Sequence, residues 1–159
     1  MVDHKVDRSN WAPGPWDSEP EDRVEWRHRG FPCLAVRNSL GAWCGYVAVP
    51  PGHPWHGKGY DAIDADCHGG LTFSDGCHPD SAICHVPAPG EPEDVWWLGF
   101  DCAHAGDHIP KLESLVTRAQ IARLVGDTYC PLGYVRAGVE RLADQAAHAV
   151  KDEEGKSKE

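Results

Sequence analysis

Trp43-Cys-Gly-Tyr-Val-Ala-Val49 is the stretch that decides the fold of this chain. It is a short apolar run with several aromatic and β-branched residues, a composition typical of a strand. A second run, Phe31-Pro-Cys-Leu-Ala-Val36, precedes it, and Asn38-Ser39-Leu40-Gly41 lies between the two. Because Asn, Ser and Gly are turn-forming residues, the pattern predicts a β-hairpin.

The most strand-like run of the chain is Val95-Trp-Trp-Leu-Gly-Phe100. Its apolar residues are continuous rather than alternating, which predicts a central strand covered on both faces. Trp96 and Trp97 are neighbours in this strand and must face opposite sides of the sheet. A shorter strand is predicted at Leu71-Thr72-Phe73, after the turn His68-Gly69-Gly70 and before the polar residues that follow.

Helices are predicted in the C-terminal third of the chain. Residues 114–125 have apolar side chains on one side, and the last element starts near Pro131, which suits a first helical turn. The apolar positions of that last element recur at spacings of three and four: Val135, Val139, Leu142, Ala146 and Val150. A stripe that faces the core is favoured over an oligomer seam. The pattern as a whole predicts a small α+β fold with a mostly antiparallel sheet, long irregular loops and C-terminal helices.

The length of 159 residues predicts one domain with flanking segments. Residues 1–24 are predicted to form an extended N-terminal arm, because prolines and an acidic cluster forbid a long helix there. The arm includes Trp11 and Trp16, and exposing two indoles is costly, so we expect it to pack onto the domain or onto a partner subunit of a homo-oligomer. Residues 25–150 are predicted to form the α+β domain and residues 151–159 a disordered, charged tail.

Charge and hydropathy exclude several classes of function. The net charge of −10 argues against non-specific binding to nucleic acid or to an anionic membrane. No run reaches the length of about 18 apolar residues that a transmembrane helix needs, and the first residues lack the apolar core of a signal peptide. These features predict a cytoplasmic protein, whose seven cysteines are expected to be free thiols or metal ligands.

The tightest group of chemically active residues is Asp101, His104 and Asp107. Residues three apart lie on one side of a helical turn, so these side chains can converge on one point. With His68 they would form a mixed carboxylate and imidazole set, which can bind a divalent metal such as zinc in a hydrolase. The alternative, which the sequence alone favours, is that the two aspartates cap turns and His104 holds the loop.

A ligand site is predicted from glycine turns and aromatic residues. Gly69, Gly70 and the segment Gly57-Lys58-Gly59 allow a backbone to approach a ligand closely, and Lys58 can meet a phosphate. Aromatic side chains near these turns in sequence can stack on a planar base. The predicted ligand-binding residues are His68, Gly69, Gly70, Thr72, Lys58, Tyr60, Trp97, Asp101 and His104.

Several phrases of the chain are distinctive: Gly45-Tyr-Val-Ala-Val-Pro-Pro-Gly-His-Pro54, Gly57-Lys-Gly-Tyr-Asp61, His68-Gly-Gly-Leu-Thr-Phe73, Trp96-Trp-Leu-Gly-Phe-Asp-Cys-Ala-His-Ala-Gly-Asp107 and Tyr134-Val-Arg136. In these phrases the chain resembles a group of small uncharacterised proteins encoded by bacteriophages and prophages. The resemblance implies a phage accessory protein that works in the cytoplasm of a host bacterium, where counter-defence is a common role. It implies no particular reaction.

Three hypotheses about function follow from these observations. The first, slightly favoured, is a counter-defence binder that sequesters a nucleotide-like small-molecule signal. The second is a metal-dependent hydrolase that uses His68, Asp101, His104 and Asp107. The third is an inhibitor that binds a host protein through the arm and exposed tryptophans.

Overall fold

A computed structural model gives the fold, and it describes residues 5–9, 11, 14–38, 41–77, 83, 94–102 and 130–157. Two 3-10 turns, Pro15–Ser18 and Tyr60–Ala62, lie in the connecting segments. The strands and the helix, in chain order, are β1 (Arg23–His28), β2 (Phe31–Arg37), β3 (Trp43–Val49), β4 (Phe73–Gly76), β5 (Trp96–Asp101) and α1 (Leu132–Ser157).

The five strands form one antiparallel sheet in the order β1-β2-β3-β5-β4. With α1 packed against it, the sheet makes a small α+β fold, which confirms the predicted class. Strands β2 and β3 form the predicted hairpin, in which Cys33 lies opposite Val47 and Val36 opposite Cys44. The β1–β2 hairpin turns at Arg29-Gly30, where both residues have the positive φ that a tight two-residue turn requires.

Helix α1 covers one face of β2 and β3. Gly45 in β3 allows this close approach, because a Cβ there would lie 2.6 Å from Cγ2 of Val139 and 2.7 Å from the Phe100 ring. Four of the five residues of the predicted apolar stripe are fully buried: Val135, Val139, Leu142 and Ala146. The stripe is therefore part of the core.

A second apolar cluster lies on the opposite face of the sheet, and it includes Leu34, Tyr46 and Trp97. Gly99 in β5 makes room for the Tyr46 ring, with which a Cβ at position 99 would overlap. Trp96 packs instead against the cluster beneath α1. The two neighbouring indoles thus face opposite sides of the sheet and β5 is covered on both faces, as predicted.

Arg37 ties the N-terminal segment to the sheet. Its side chain is fully buried at the end of β2, with guanidinium nitrogens 3.2 Å from carboxylate oxygens of both Glu19 and Asp22. It also donates a hydrogen bond of 2.7 Å to the carbonyl of Gly41 and lies 4.3 Å above the Trp43 ring. Two carboxylates around the guanidinium provide the pairing that a buried charge requires.

Residues before β1 add to this network. Arg8 forms an ion pair with Asp22 and donates a hydrogen bond to the carbonyl of Glu19, and Trp16 is only 2% exposed. Burial raises the pKa of Asp22, but the hydrogen bonds from Arg8 and the Val6 backbone, with the nearby guanidinium charges, bring it below its ordinary value. The segment therefore packs onto the domain, which is one of the two expected arrangements.

Strand β4 lies further along the chain than predicted. The apolar run Leu71-Thr72-Phe73 predicts a strand that ends at Ser74, whereas the strand spans Phe73–Gly76 and pairs with β5 from Gly99 to Trp96. The backbone of β5 offers hydrogen-bond partners to an edge strand, whichever side chains that edge strand has. This pairing overrides the low strand propensity of the residues in β4. Leu71 packs against the core cluster beneath α1.

Helix α1 continues to Ser157 and so enters the segment that is predicted as a tail. The helix predicted over residues 114–125 lies outside the described residues, as does most of the loop between Cys77 and Asp94. Among the helices that are described, none is both long and apolar enough to span a membrane.

Candidate metal centre

Three side chains from distant parts of the chain converge beside the start of α1. His68 lies in the loop between β3 and β4, Cys102 directly follows β5, and Cys130 lies two residues before α1. One ring nitrogen of His68 and the two sulfur atoms all lie within 4.8 Å of one another. Imidazole nitrogen and thiolate sulfur are preferred zinc ligands, so the group has the composition of a metal centre.

The distance between Cys130 and His68 is close to that expected for two ligands of a tetrahedral zinc ion. Ligand atoms about 2.3 Å (sulfur) and about 2.0 Å (nitrogen) from a tetrahedral zinc lie about 3.5 Å from each other. The Sγ of Cys130 is 3.9 Å from Nε2 of His68. A movement of about 0.4 Å, which a small rotation of either side chain provides, gives the metal-bound separation.

A glycine turn holds His68 in place. The Gly70 amide donates a hydrogen bond of 3.0 Å to the carbonyl of Cys67, which closes a four-residue turn with His68 at its second position. Gly69, the third residue, has a φ of +69°, and Gly70 has a φ of +82°. A side chain at either position would be strained, so the two glycines set the direction in which His68 points.

Tyr134 fixes the orientation of the His68 ring. Its hydroxyl lies 2.9 Å from Nδ1 of His68, and the two rings meet edge to face at 5.5 Å between centroids. The Cys130 thiol is on the other side of the ring, at Nε2. When Nδ1 carries the proton and donates it to the Tyr134 oxygen, Nε2 has the free lone pair that metal binding requires.

The two cysteines are anchored through Trp43 and Glu19. The amide of Cys102 donates to the carbonyl of Trp43 at 3.0 Å, and the Trp43 indole donates to the Glu19 carboxylate at 3.3 Å. The other oxygen of Glu19 accepts a hydrogen bond of 2.6 Å from the amide of Leu132, at the start of α1. Glu19 thus holds the strand end that bears Cys102 and the helix start that follows Cys130.

The remaining described thiols have different surroundings. Burial raises the pKa of Cys33 to about 12, and it raises the pKa values of Cys44 and Cys67 to about 11. These three groups stay protonated at neutral pH and are poor metal ligands. Cys77 is disulfide-bonded, which departs from the prediction that the cysteines are free thiols or ligands.

Comparison with known proteins identifies no relative. No protein-family model, no curated protein and no solved structure matches the chain. Function is therefore inferred from the geometry of the site.

Of the four predicted metal ligands, the structure describes His68 and Asp101, and only His68 belongs to the cluster. His68 is in the cluster, but Asp101 is not among its ligand atoms and instead accepts a hydrogen bond of 3.2 Å from the Thr72 hydroxyl. His104 and Asp107 lie outside the described residues. The residue beside His68 at the end of β5 is Cys102, which was not in the predicted set.

The predicted ligand-binding residues separate into two places. His68, Gly69, Gly70, Thr72 and Asp101 lie near the C-terminal end of β5. Lys58 lies at the opposite end, where its carbonyl accepts a hydrogen bond from the Trp96 indole, and the Tyr60 amide bonds to the Ser74 hydroxyl of β4. Trp97 is fully buried in the core and offers no surface to a ligand.

Sequence reasoning missed Cys102 and Cys130 as partners of His68. They are 28 residues apart in the chain and no short motif links them. A usable signal existed at each position: Cys102 directly follows a buried strand, and Cys130 precedes the proline that starts a helix. Tyr134, four residues after Cys130, has no feature in the sequence that marks it as a partner of His68.

Proposed function

We propose that this protein is a zinc-dependent hydrolase of a bacterial virus, with the metal held by His68, Cys102 and Cys130. The observation that supports this most directly is the convergence of the three ligand atoms within 4.8 Å. Two thiolates and one imidazole suit zinc, whereas magnesium and calcium take oxygen ligands. The proposal keeps His68 from the predicted metal set and replaces the carboxylates by thiolates.

The ligand set is compatible with catalysis. Zinc sites with three protein ligands keep a fourth position for water, whose pKa falls to about 7 on binding. A His/Cys/Cys set activates water in zinc deaminases. Both sulfur atoms belong to buried residues, while Tyr134 beside His68 is 43% exposed. A substrate would therefore approach the centre from the side of Tyr134.

The substrate we propose is a nucleotide-like signal in the cytoplasm of the host bacterium. This part of the proposal rests on the resemblance to phage accessory proteins, for which counter-defence is a common role. Hydrolysis would remove such a signal catalytically. The placement of Lys58, Tyr60 and Trp97 away from His68 weighs against the single aromatic pocket that simple sequestration would use.

A second candidate function, sequestration of an anionic ligand, is favoured by a cavity elsewhere on the sheet. This cavity, of about 200 Å³, is bordered by Arg27, Arg29, Phe31, Pro32, Pro50 and Val95, together with Gly30. Arginines beside apolar walls suit a phosphate-bearing ligand, although the Arg29 guanidinium already forms an ion pair with Asp144, which such a ligand would have to displace. Because ligand pockets usually measure about 300–1,000 Å³, this one would hold only part of a nucleotide.

One panel of compounds separates the two functions. The zinc-loaded protein is incubated with cyclic nucleotides and ADP-ribose-type molecules, products are separated by chromatography, and binding is measured by calorimetry. We expect turnover of at least one compound by the native protein and by Cys67→Ser, but none by Cys130→Ser. Binding without turnover, unaffected by Cys130→Ser, would favour sequestration. Neither binding nor turnover for any compound would contradict both functions.

A further inference from the structure

The two sulfur atoms of the metal centre are close enough to react with each other. The Sγ atoms of Cys102 and Cys130 lie within 4.8 Å, and both cysteines are outside any disulfide. A disulfide needs the sulfur atoms at about 2.0 Å, so the two atoms must approach by less than about 3 Å. We propose that Cys102 and Cys130 form a peroxide-sensitive dithiol, and that its oxidation to a disulfide releases the metal.

The surroundings assign a role to each group. The Cys130 sulfur lies 3.9 Å from Nε2 of His68. Cys130 is 6% exposed and Cys102 is 2% exposed, so the first attack on the oxidant is assigned to Cys130. Cys102 is then the resolving thiol, behind it.

The chemistry balances with hydrogen peroxide as the oxidant. The Cys130 sulfur attacks one peroxide oxygen, the O–O bond breaks, and Cys130 becomes a sulfenic acid while its proton leaves with the released hydroxide as water. The Cys102 sulfur then attacks the sulfenic sulfur, and a second water leaves. Two thiols and one peroxide give one disulfide and two waters.

The other described free thiols are not expected to compete. Burial raises the pKa of Cys33 to about 12 and the pKa values of Cys44 and Cys67 to about 11. Of these three, Cys67 is the nearest to His68 in sequence. Since the thiolate is the reactive form, these groups react slowly at neutral pH. Cys67→Ser is therefore a matched control for the two metal-centre cysteines.

The metal-release step rests on the proposed function, whereas the disulfide does not. The full-length zinc-loaded protein is treated with hydrogen peroxide, zinc is measured with a chromogenic chelator, and disulfides are mapped by peptide mass spectrometry. We expect zinc release together with a Cys102–Cys130 crosslink, both reversed by dithiothreitol and zinc and both retained in Cys67→Ser. In Cys102→Ser, a sulfenic acid on Cys130 should be trapped by dimedone.

The outcomes separate the two proposals. A Cys102–Cys130 disulfide in a protein that binds no zinc would uphold the dithiol and contradict the metal centre. Zinc binding without this disulfide, or peroxide oxidation that maps to other cysteines, would overturn the dithiol and leave the metal centre standing. Because the mapping uses the native chain, the test does not depend on whether Cys102→Ser folds.

Discussion

Replacing Tyr134 by phenylalanine tests whether the hydroxyl orients His68 for metal binding. The change removes one hydrogen bond of 2.9 Å to Nδ1 of His68 and keeps the edge-to-face ring contact. Loss of an outer-shell partner typically lowers metal affinity by about 10- to 100-fold. Because Tyr134 is 43% exposed, water can replace the missing hydroxyl, and we expect the lower end of this range. The predicted loss is about 10-fold, or about 1.4 kcal/mol.

The assay is competition for zinc between the protein and a chromophoric chelator, with cobalt absorption spectra recorded to check the coordination geometry. Tyr60→Phe is the matched control, because Tyr60 is similarly exposed at 47% and lies toward the other end of β5. We expect Tyr60→Phe to bind zinc as the native protein does. Equal zinc affinity of Tyr134→Phe and the native protein would refute the assigned role of the hydroxyl.

Three further predictions concern the fold. Gly45→Ala should lower the free energy of unfolding by about 1–3 kcal/mol in urea titrations, because the new Cβ would lie 2.6 Å from Val139. The control is Gly76→Ala, whose Cβ meets no atom within 4 Å and which should have little effect. Arg37→Met should lower the free energy of unfolding by about 3–5 kcal/mol in the same measurement, because it leaves the carboxylates of Glu19 and Asp22 without their buried cation. A decrease of less than about 1 kcal/mol would contradict this. Burial lowers the pKa of His53 below its ordinary value of 6.5. The contribution of His53 to the free energy of unfolding is therefore full above pH 6.5 and falls as the pH drops toward the folded-state pKa. His53→Gln should flatten this part of the plot of unfolding free energy against pH.

The sheet was largely predictable because its signals are local. The hairpin of β2 and β3 follows from two apolar runs with turn residues between them, and the interior position of β5 follows from its continuous apolar run. The structure confirms both, with β5 between β3 and β4. Strand β4 was misplaced because Ser74, Asp75 and Gly76 give no apolar signal and their pairing partners in β5 lie 20 or more residues further along the chain. The burial of Arg37 was also unpredictable, since its carboxylate partners Glu19 and Asp22 precede β1.

The metal centre illustrates why a site is harder to predict than a fold. The sequence predicts His68, in its glycine turn, and Asp101, at the end of β5, as site residues. The actual neighbours of His68 depend on how the strand end and the start of α1 meet in space. The hydrogen bonds through Trp43 and Glu19 that bring Cys102 and Cys130 together span 113 residues between Glu19 and Leu132. No spacing rule within the sequence contains that information.

The most direct test of the metal centre is the zinc content of the full-length protein, purified without a chelator or an affinity tag. Elemental analysis should give about one zinc per chain for the native protein and for Cys67→Ser, and far less for Cys102→Ser and Cys130→Ser. Circular dichroism of each variant checks that the sheet and helix are retained. Native protein with less than about a tenth of a zinc per chain after incubation with zinc, or variants with unchanged content, would contradict the account.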